Sequence, residues 1–320
     1  MDASSPVVRT IVLLGPVNLI EFSFVLLGVS VLAGMLGSLL GLGGGFVIVP
    51  VLTLVFHLDI RLAIGTSITA VAATSSAGAA RNVAESITNL RVATFLALAT
   101  TIGAVTGALL SGVFDARFLF ALFGTVLGIS GVQMLRRKRP SRGRNDPVRT
   151  LTAPVPALQA ARVDKSTAES TGRNGDLADR LALHSAYYDV AQGVEVPYVV
   201  AHTGLGLALM YLAGTVSGLL GIGSGVLKVP AMDLAMHIPM KVSTATSNLL
   251  IGLTASASAV VYFARGDIDP LIAGPVALGV LVGATQGSKI LVGIRAERLR
   301  VLFVIALGVI AVQMLWKGIA

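Results

Sequence analysis

The second half of this chain repeats the first at a constant offset of 180 residues, and that register limits what the chain can fold into. Ala33–Pro50 lies over Ala213–Pro230 with nine of 18 positions identical. Without a gap, the same offset pairs His57 with His237, Thr66-Ser67 with Thr246-Ser247, and Gly103-Ala104 with Gly283-Ala284. It still holds where Gln133-Met134-Leu135 meets Gln313-Met314-Leu315. Shared apolar composition would scatter its matches. One register held over about 100 residues marks an internal duplication, so both copies should reach the same local structure.

Each copy has the composition of a lipid-embedded protein. Between Phe22 and Phe56 there is no charged side chain, a run longer than the ~20 residues that span hydrocarbon. Of the 320 residues, 54% are hydrophobic and 12% charged, against ~25% charged in soluble domains. So few charges cannot cover a water-soluble surface, and so apolar a chain does not stay disordered. The 36 glycines follow no triplet period, which excludes a collagen-like chain. The absence of cysteine excludes a disulfide framework, a thiolate metal site and a cysteine nucleophile. The expected fold class is all-α, a polytopic membrane protein.

The run Gly41-Leu42-Gly43-Gly44-Gly45 breaks the first apolar stretch, because glycine costs about 1 kcal/mol in a helix interior. Pro50 falls early in the next piece, and Phe46–Phe56 is too short to cross at ~1.5 Å per residue. The pattern predicts a long helix, an unwound glycine elbow and a short or re-entrant helix. Further spans follow at roughly Leu62–Ala80, Val92–Val113 and Phe118–Leu135. The chain thus divides into an N-terminal segment over 1–21, a membrane repeat over 22–135, a polar linker over 136–197 and a second repeat over 198–320.

The N-terminal segment carries Asp2, Arg9 and Glu21 around a short apolar run and lacks a small-residue cleavage site, which argues against a removed signal peptide. The linker opens on Arg136-Arg137-Lys138-Arg139 and continues polar with Pro140, Pro147, Pro154 and Pro156, as flexible connectors do. Near its end His184–Val190 and Val194–Val200 flank Ala191-Gln192-Gly193, the pattern of a small hairpin.

Five hydrophobic elements per copy, or three if the elbow pair is re-entrant, is an odd number either way. Consecutive copies then enter the membrane from opposite sides, giving two inverted five-element repeats. The basic residues agree. With the linker inside, 18 of the 24 Lys and Arg fall inside and five outside, while Lys228 lies within a membrane segment. The linker is therefore expected in the cytoplasm, and the net charge of +8 reads as an orientation signal rather than a nucleic-acid footprint.

Inverted repeats with broken helices place substrate at the break, near the midplane. Where a helix restarts, its first N–H groups lack intrahelical partners and carry partial positive charge, which suits an anion. Gly43, Gly44 and Gly45 lead into one restart; Gly223, Ser224 and Gly225 lead into the other. The alternative reading of these glycines is close helix packing by small residues. Lys228, which replaces Ile48 of the first copy, is a costly lysine inside a membrane segment and by default a functional candidate. Its alternatives are snorkelling or pairing with Asp233. Thr66, Ser67, Thr246, Ser247 and Asn248 follow the short helices and could complete an oxyanion's hydrogen bonds, or bond their own helix backbone. His57 and His237, at matching helix ends, are candidates for proton coupling or for interfacial caps.

Hydrolase and metal motifs are absent: there is no His-Glu-x-x-His, no Walker loop and no Gly-x-Ser-x-Gly elbow, and four scattered histidines form no metal set. No cofactor and no resident metal are expected.

The glycine elbow followed by Pro50, the Ile64-Gly65-Thr66-Ser67 turn and the second copy Gly221–Pro230 resemble the sulfite exporter TauE/SafE family, also called the toluene sulfonate uptake permease family. The resemblance covers about residues 22–135 and 199–317. It implies movement of small sulfur-containing or organic anions, such as sulfite, sulfoacetate or related sulfonates, across prokaryotic plasma membranes. Ser224 and Lys228 depart from the first copy, and the linker lies outside the resemblance.

The expected function is secondary transport of a small anion by alternating access, without enzymatic activity. The expected location is a prokaryotic plasma (inner) membrane, multi-pass. The partners are the anion, the lipid bilayer and, left open, further copies of the chain; nucleic acid is excluded. A passive anion channel on the same scaffold is the alternative. An intramembrane enzyme acting on a lipid phosphate is more remote, because such chemistry needs positioned acids or bases and Asp233 is the one acid inside a membrane segment.

Overall fold

The computed structural model describes residues 19–40, 44–84, 88–136, 178, 181, 183, 185–189, 194–223, 225–290 and 296–319. The N-terminal segment before residue 19 and most of the linker lie outside them, as do Gly43 and Ser224.

Both copies trace the same helices. The first contains α1 (Leu19–Leu40), α2 (Gly45–Pro50) running on into a π-helical turn (Val51–Val55), α3 (Ile60–Ala84), α4 (Leu90–Val113) and α5 (Ala116–Arg136). The second contains α6 (Thr203–Leu220), α7 (Gly225–Pro230) with its π-turn (Ala231–Ala235), α8 (Met240–Ala264), α9 (Pro270–Ile290) and α10 (Ala296–Ile319). Between them stand β1 (Ser185–Asp189) and β2 (Val194–Tyr198), an antiparallel pair in the expected hairpin. Among the described residues, four helices are long and apolar enough to cross a bilayer: Ile60–Ala80, Leu90–Val113, Thr203–Leu220 and Met240–Ala264. Both short helices keep their proline at the last α-helical residue, and both pass there into a π-turn. The prolyl nitrogen lacks the donor that regular helix geometry would use.

The helices pack across copies rather than within them: α1 on α9, α4 on α6, α3 on α8, and α5 on α10. Exchanging the copies maps this set onto itself. The correspondence extends to single residues. A side chain at Gly103 would strike Tyr211 and Thr215; one at Gly283 would strike Val31 and Met35, the same positions shifted by 180. Gly214 lies against Thr100, and its equivalent Gly34 lies against Val280. Glycine at these crossings lets backbones touch, the main source of helix association where lipid removes the hydrophobic drive.

The same contacts fix helix direction. Gly78 faces Asn248 while Gly252 faces Ser75 and Ser76, so α3 and its equivalent α8 run antiparallel. Gly124 faces Ala311 and Leu315 while Gly318 faces Arg117 and Ala121, so α5 and α10 do too. Equivalent helices that run oppositely require a pseudo-twofold axis lying across them.

Each elbow pair folds back on itself. The Phe22 and Phe56 rings meet edge to face, 5.8 Å apart, joining the start of α1 to the end of the first π-turn. In the second copy the Ala201 N–H donates to the Met236 carbonyl (3.1 Å), and the His202 and His237 rings lie 5.8 Å apart. The short helices therefore return to the face their long partners came from.

Candidate functional site

The elbows meet in the interior. Gly45, the first residue of α2, packs against the second elbow so closely that a Cβ there would lie 2.6 Å from the Gly221 carbonyl oxygen. It would also lie 2.7 Å from Val71 and 2.8 Å from the Ser67 hydroxyl. Ser67 bridges the two: its hydroxyl donates toward the Gly221 carbonyl at 2.9 Å, with the Gly45 carbonyl at 3.3 Å. Gly44 and Gly223 hold left-handed backbone, φ 75° and 80°, which glycine adopts without a Cβ penalty. Gly225, the first residue of α7, is buried. At Gly45 the freedom from a side chain thus serves contact between the elbows, the packing role weighed for it above.

Elsewhere on α3 and α8 lie buried polar groups with incomplete hydrogen bonding among the described residues. Among the described residues the hydroxyls of Thr66 and Ser247 have no partner, and both residues are essentially inaccessible. An orphaned buried hydroxyl costs about 1–3 kcal/mol, so it marks a place that a ligand could complete. The two orphans are not equivalents. Among the described residues, Ser67 of the first copy is engaged and Thr66 has no partner, while in the second Ser247 has none and Thr246 accepts the Asn89 N–H at 3.3 Å. Asn248 is half-buried against Gly78 of α3.

Lys228 is fully buried. Its ammonium donates to the Thr254 hydroxyl at 2.8 Å and approaches the Leu250 carbonyl at 3.4 Å. It does not snorkel, and among the described residues it has no carboxylate partner; Asp233 sits half-buried on the π-turn. The antiparallel α3–α8 register brings the level of Thr254 opposite that of its equivalent Thr74, so Lys228 reaches α8 near the pseudo-twofold axis.

His57 and His237 are not part of this cluster. Both occupy exposed turns after the π-helices, in left-handed backbone at φ 51° and 55°. There Leu58 and Ile238 donate back to Leu52 and Met232, closing the helix ends. No group of three or more metal-ligating side chains occurs among the described residues.

Three contributors escape sequence reasoning. Thr254 seats Lys228. Asn89 caps α4 by accepting the Val92 N–H, and its amide donates to the Leu183 carbonyl and to the Tyr198 hydroxyl of β2. Tyr198 ties the hairpin to this cap, and burial pushes its phenol above the ordinary range, keeping it protonated. Their only sequence trace is positional: Thr254 repeats Thr74, and Asn89 corresponds to Asp269, which caps α9 by accepting the Leu271 N–H.

A family model described as sulfite exporter TauE/SafE matches residues 26–314, which takes in both elbows and both copies. The chain belongs to the TauE/SafE family. Similar TauE/SafE relatives include the probable membrane transporter protein YunE of Bacillus subtilis, 26% identical over 93% of this chain and 99% of the relative. Another is the probable membrane transporter protein MJ0441 of Methanocaldococcus jannaschii, 24% identical over 92% and 98%. A third, from Xylella fastidiosa, is 25% identical over 93% and 97%. No solved structure matches this TauE/SafE chain.

Proposed function

We propose that the chain is a secondary transporter of a small anion, a sulfur-containing oxyanion or organosulfonate such as sulfite or sulfoacetate. Membership of a family described as sulfite exporters and the transporter names of its relatives support the general assignment. The observation that carries the anion is Lys228, a buried ammonium without a carboxylate partner among the described residues. An anion bound beside Lys228 would balance the buried charge. Gly44, Gly45, Gly223 and Gly225 shape the elbows, and Ser67 couples them. Thr246 and Asn248 remain candidate contacts on α8, and Gly43 and Ser224 lie outside the described residues, while His57 and His237 stand apart as candidates for proton coupling at the two faces.

Transport follows by alternating access. The elbows press on each other, and each belongs to a hairpin returning to its own face, so rocking one copy against the other exposes the midplane to one side at a time. The membrane is a prokaryotic plasma membrane, with the linker on the cytoplasmic side as its basic residues require.

The test is uptake of labelled sulfite and sulfoacetate into proteoliposomes containing the purified protein. Saturable uptake accelerated by substrate on the far side is expected of a carrier. Uptake without this acceleration means a passive channel, and none with any small anion overturns the reading.

A further inference from the structure

We propose that Thr254 is a positioning residue that fixes the Lys228 ammonium for the anion; the inference rests on the anion reading above. The Thr254 hydroxyl has one proton, directed at the Leu250 carbonyl (2.7 Å), with the Ile251 carbonyl at 3.1 Å. Its lone pairs remain, and one of them accepts from Lys228 at 2.8 Å. An ammonium carries three protons. Two are directed at Thr254 and Leu250 of α8; the third has no acceptor among the described residues and is the one left for a ligand. Lysine is a point charge on a flexible four-carbon stem, so a fixed acceptor at its tip decides where the charge stands.

The first copy supplies a built-in control. Thr74, the equivalent of Thr254, donates to Ala70 at 3.0 Å and lies 3.2 Å from the Val71 carbonyl, the same back-bonded turn. Where Lys228 would stand, that copy has Ile48, buried and apolar. The seat exists twice and the cation once. Removing either threonine hydroxyl removes the same intrahelical bond, but only one removal touches a lysine.

The experiment uses the full-length protein in detergent. Thermal melting is followed with sulfite, thiosulfate, sulfoacetate, taurine and acetate, and the solute that stabilises the wild type most is titrated. Thr254→Val should weaken its apparent Kd about tenfold, the size of a hydrogen bond to a charged group. Thr254→Ser should recover most of that loss, and Thr74→Val should stay within about twofold of wild type. The melting points without solute report the folding cost, which should be similar for the two valine variants. Equal affinity in Thr254→Val and Thr74→Val overturns the positioning role.

Lys228→Met separates the two levels of the argument. If it abolishes binding while Thr254→Val is silent, only the positioning role fails. If it binds as wild type, or no solute stabilises the wild type, the anion reading fails and this inference with it. Should Thr254→Val not fold, the lysine is transposed as Ile48→Lys with Lys228→Ile, with and without Thr74→Val. Binding that depends on Thr74 supports the proposal; binding that ignores Thr74, or is absent from both, overturns it.

Discussion

The two copies share a backbone plan and differ in how their polar groups are used. At the elbows, Ser67 of the first copy reaches across to Gly221, whereas its equivalent Ser247 has no partner among the described residues. On the short helices, Lys228 rests on a back-bonded threonine, whereas the equivalent position of the first copy is buried Ile48. At the fourth helix of each copy, Asn89 is an N-cap with three further ties, to Leu183, Tyr198 and Thr246. Its equivalent Asp269 caps from an exposed turn. Duplication preserves what packing requires, such as the glycine crossings. The sites where the copies diverge are where a symmetric scaffold acquires a charge and a sidedness.

Each of these differences can be broken separately. The largest effect belongs to a position where the copies touch. Gly45→Leu would drive a side chain into the Gly221 carbonyl, Val71 and Ser67, and should cost more than the ~1–3 kcal/mol of ordinary overpacking because a backbone is struck. Loss of folded protein on size-exclusion chromatography checks it, with Gly128→Ala, which has open space around it, as the tolerated comparison.

Next comes the charge. Lys228→Met should lower anion affinity at least tenfold in the melting titration, about 1.4 kcal/mol or more, while relieving the cost of a buried ammonium and raising the melting point without anion. The matched Ile48→Met should alter neither by much, since volume-conserving apolar swaps cost less than about 1.5 kcal/mol.

The serine pair follows. Ser67→Ala breaks the bridge between the elbows and should destabilise by about 1 kcal/mol or more. Ser247→Ala removes an orphaned hydroxyl, so its melting point should hold or rise, while its anion affinity falls. If both alanines destabilise alike, the polar asymmetry is not real.

The caps give the smallest contrast. Asn89→Ala should cost about 1–2 kcal/mol because it loses a cap together with the Leu183 and Tyr198 contacts, its backbone bond to Thr246 remaining, and Asp269→Ala about 0.5–1 kcal/mol for the cap alone. Thermal melting compares them directly.

Much of the fold was legible because it rests on features a sequence displays. The glycine run breaks a helix wherever it occurs, and the 180-residue register forces the copies to match. The helices at Ile60–Ala84, Leu90–Val113 and Ala116–Arg136 extend the expected spans by a few residues into polar ends such as Arg81 and Arg91, where hydropathy falls before helical geometry does. The site was less legible. A membrane-helix threonine bonds its own backbone by default, so Thr254 looks like Thr74 until a lysine is seen resting on it. Asn89 carries its meaning through Tyr198 and Thr246, which are distant in sequence and meet only in the folded chain. The orphaned hydroxyls of Thr66 and Ser247 were inside the expected set. What pattern could not supply was which member of each Thr-Ser pair is already engaged, because that depends on the neighbouring elbow.

The account stands on one copy being upside down relative to the other, and site-directed labelling tests this most directly. The chain contains no cysteine, so His57→Cys and His237→Cys, equivalent positions on exposed turns, can each carry the only thiol. In intact cells, a membrane-impermeant maleimide should label Cys at 57 and leave Cys at 237 unlabelled until the membrane is opened. Labelling of both from the same side would contradict the inverted arrangement, and with it a site formed where the two elbows meet.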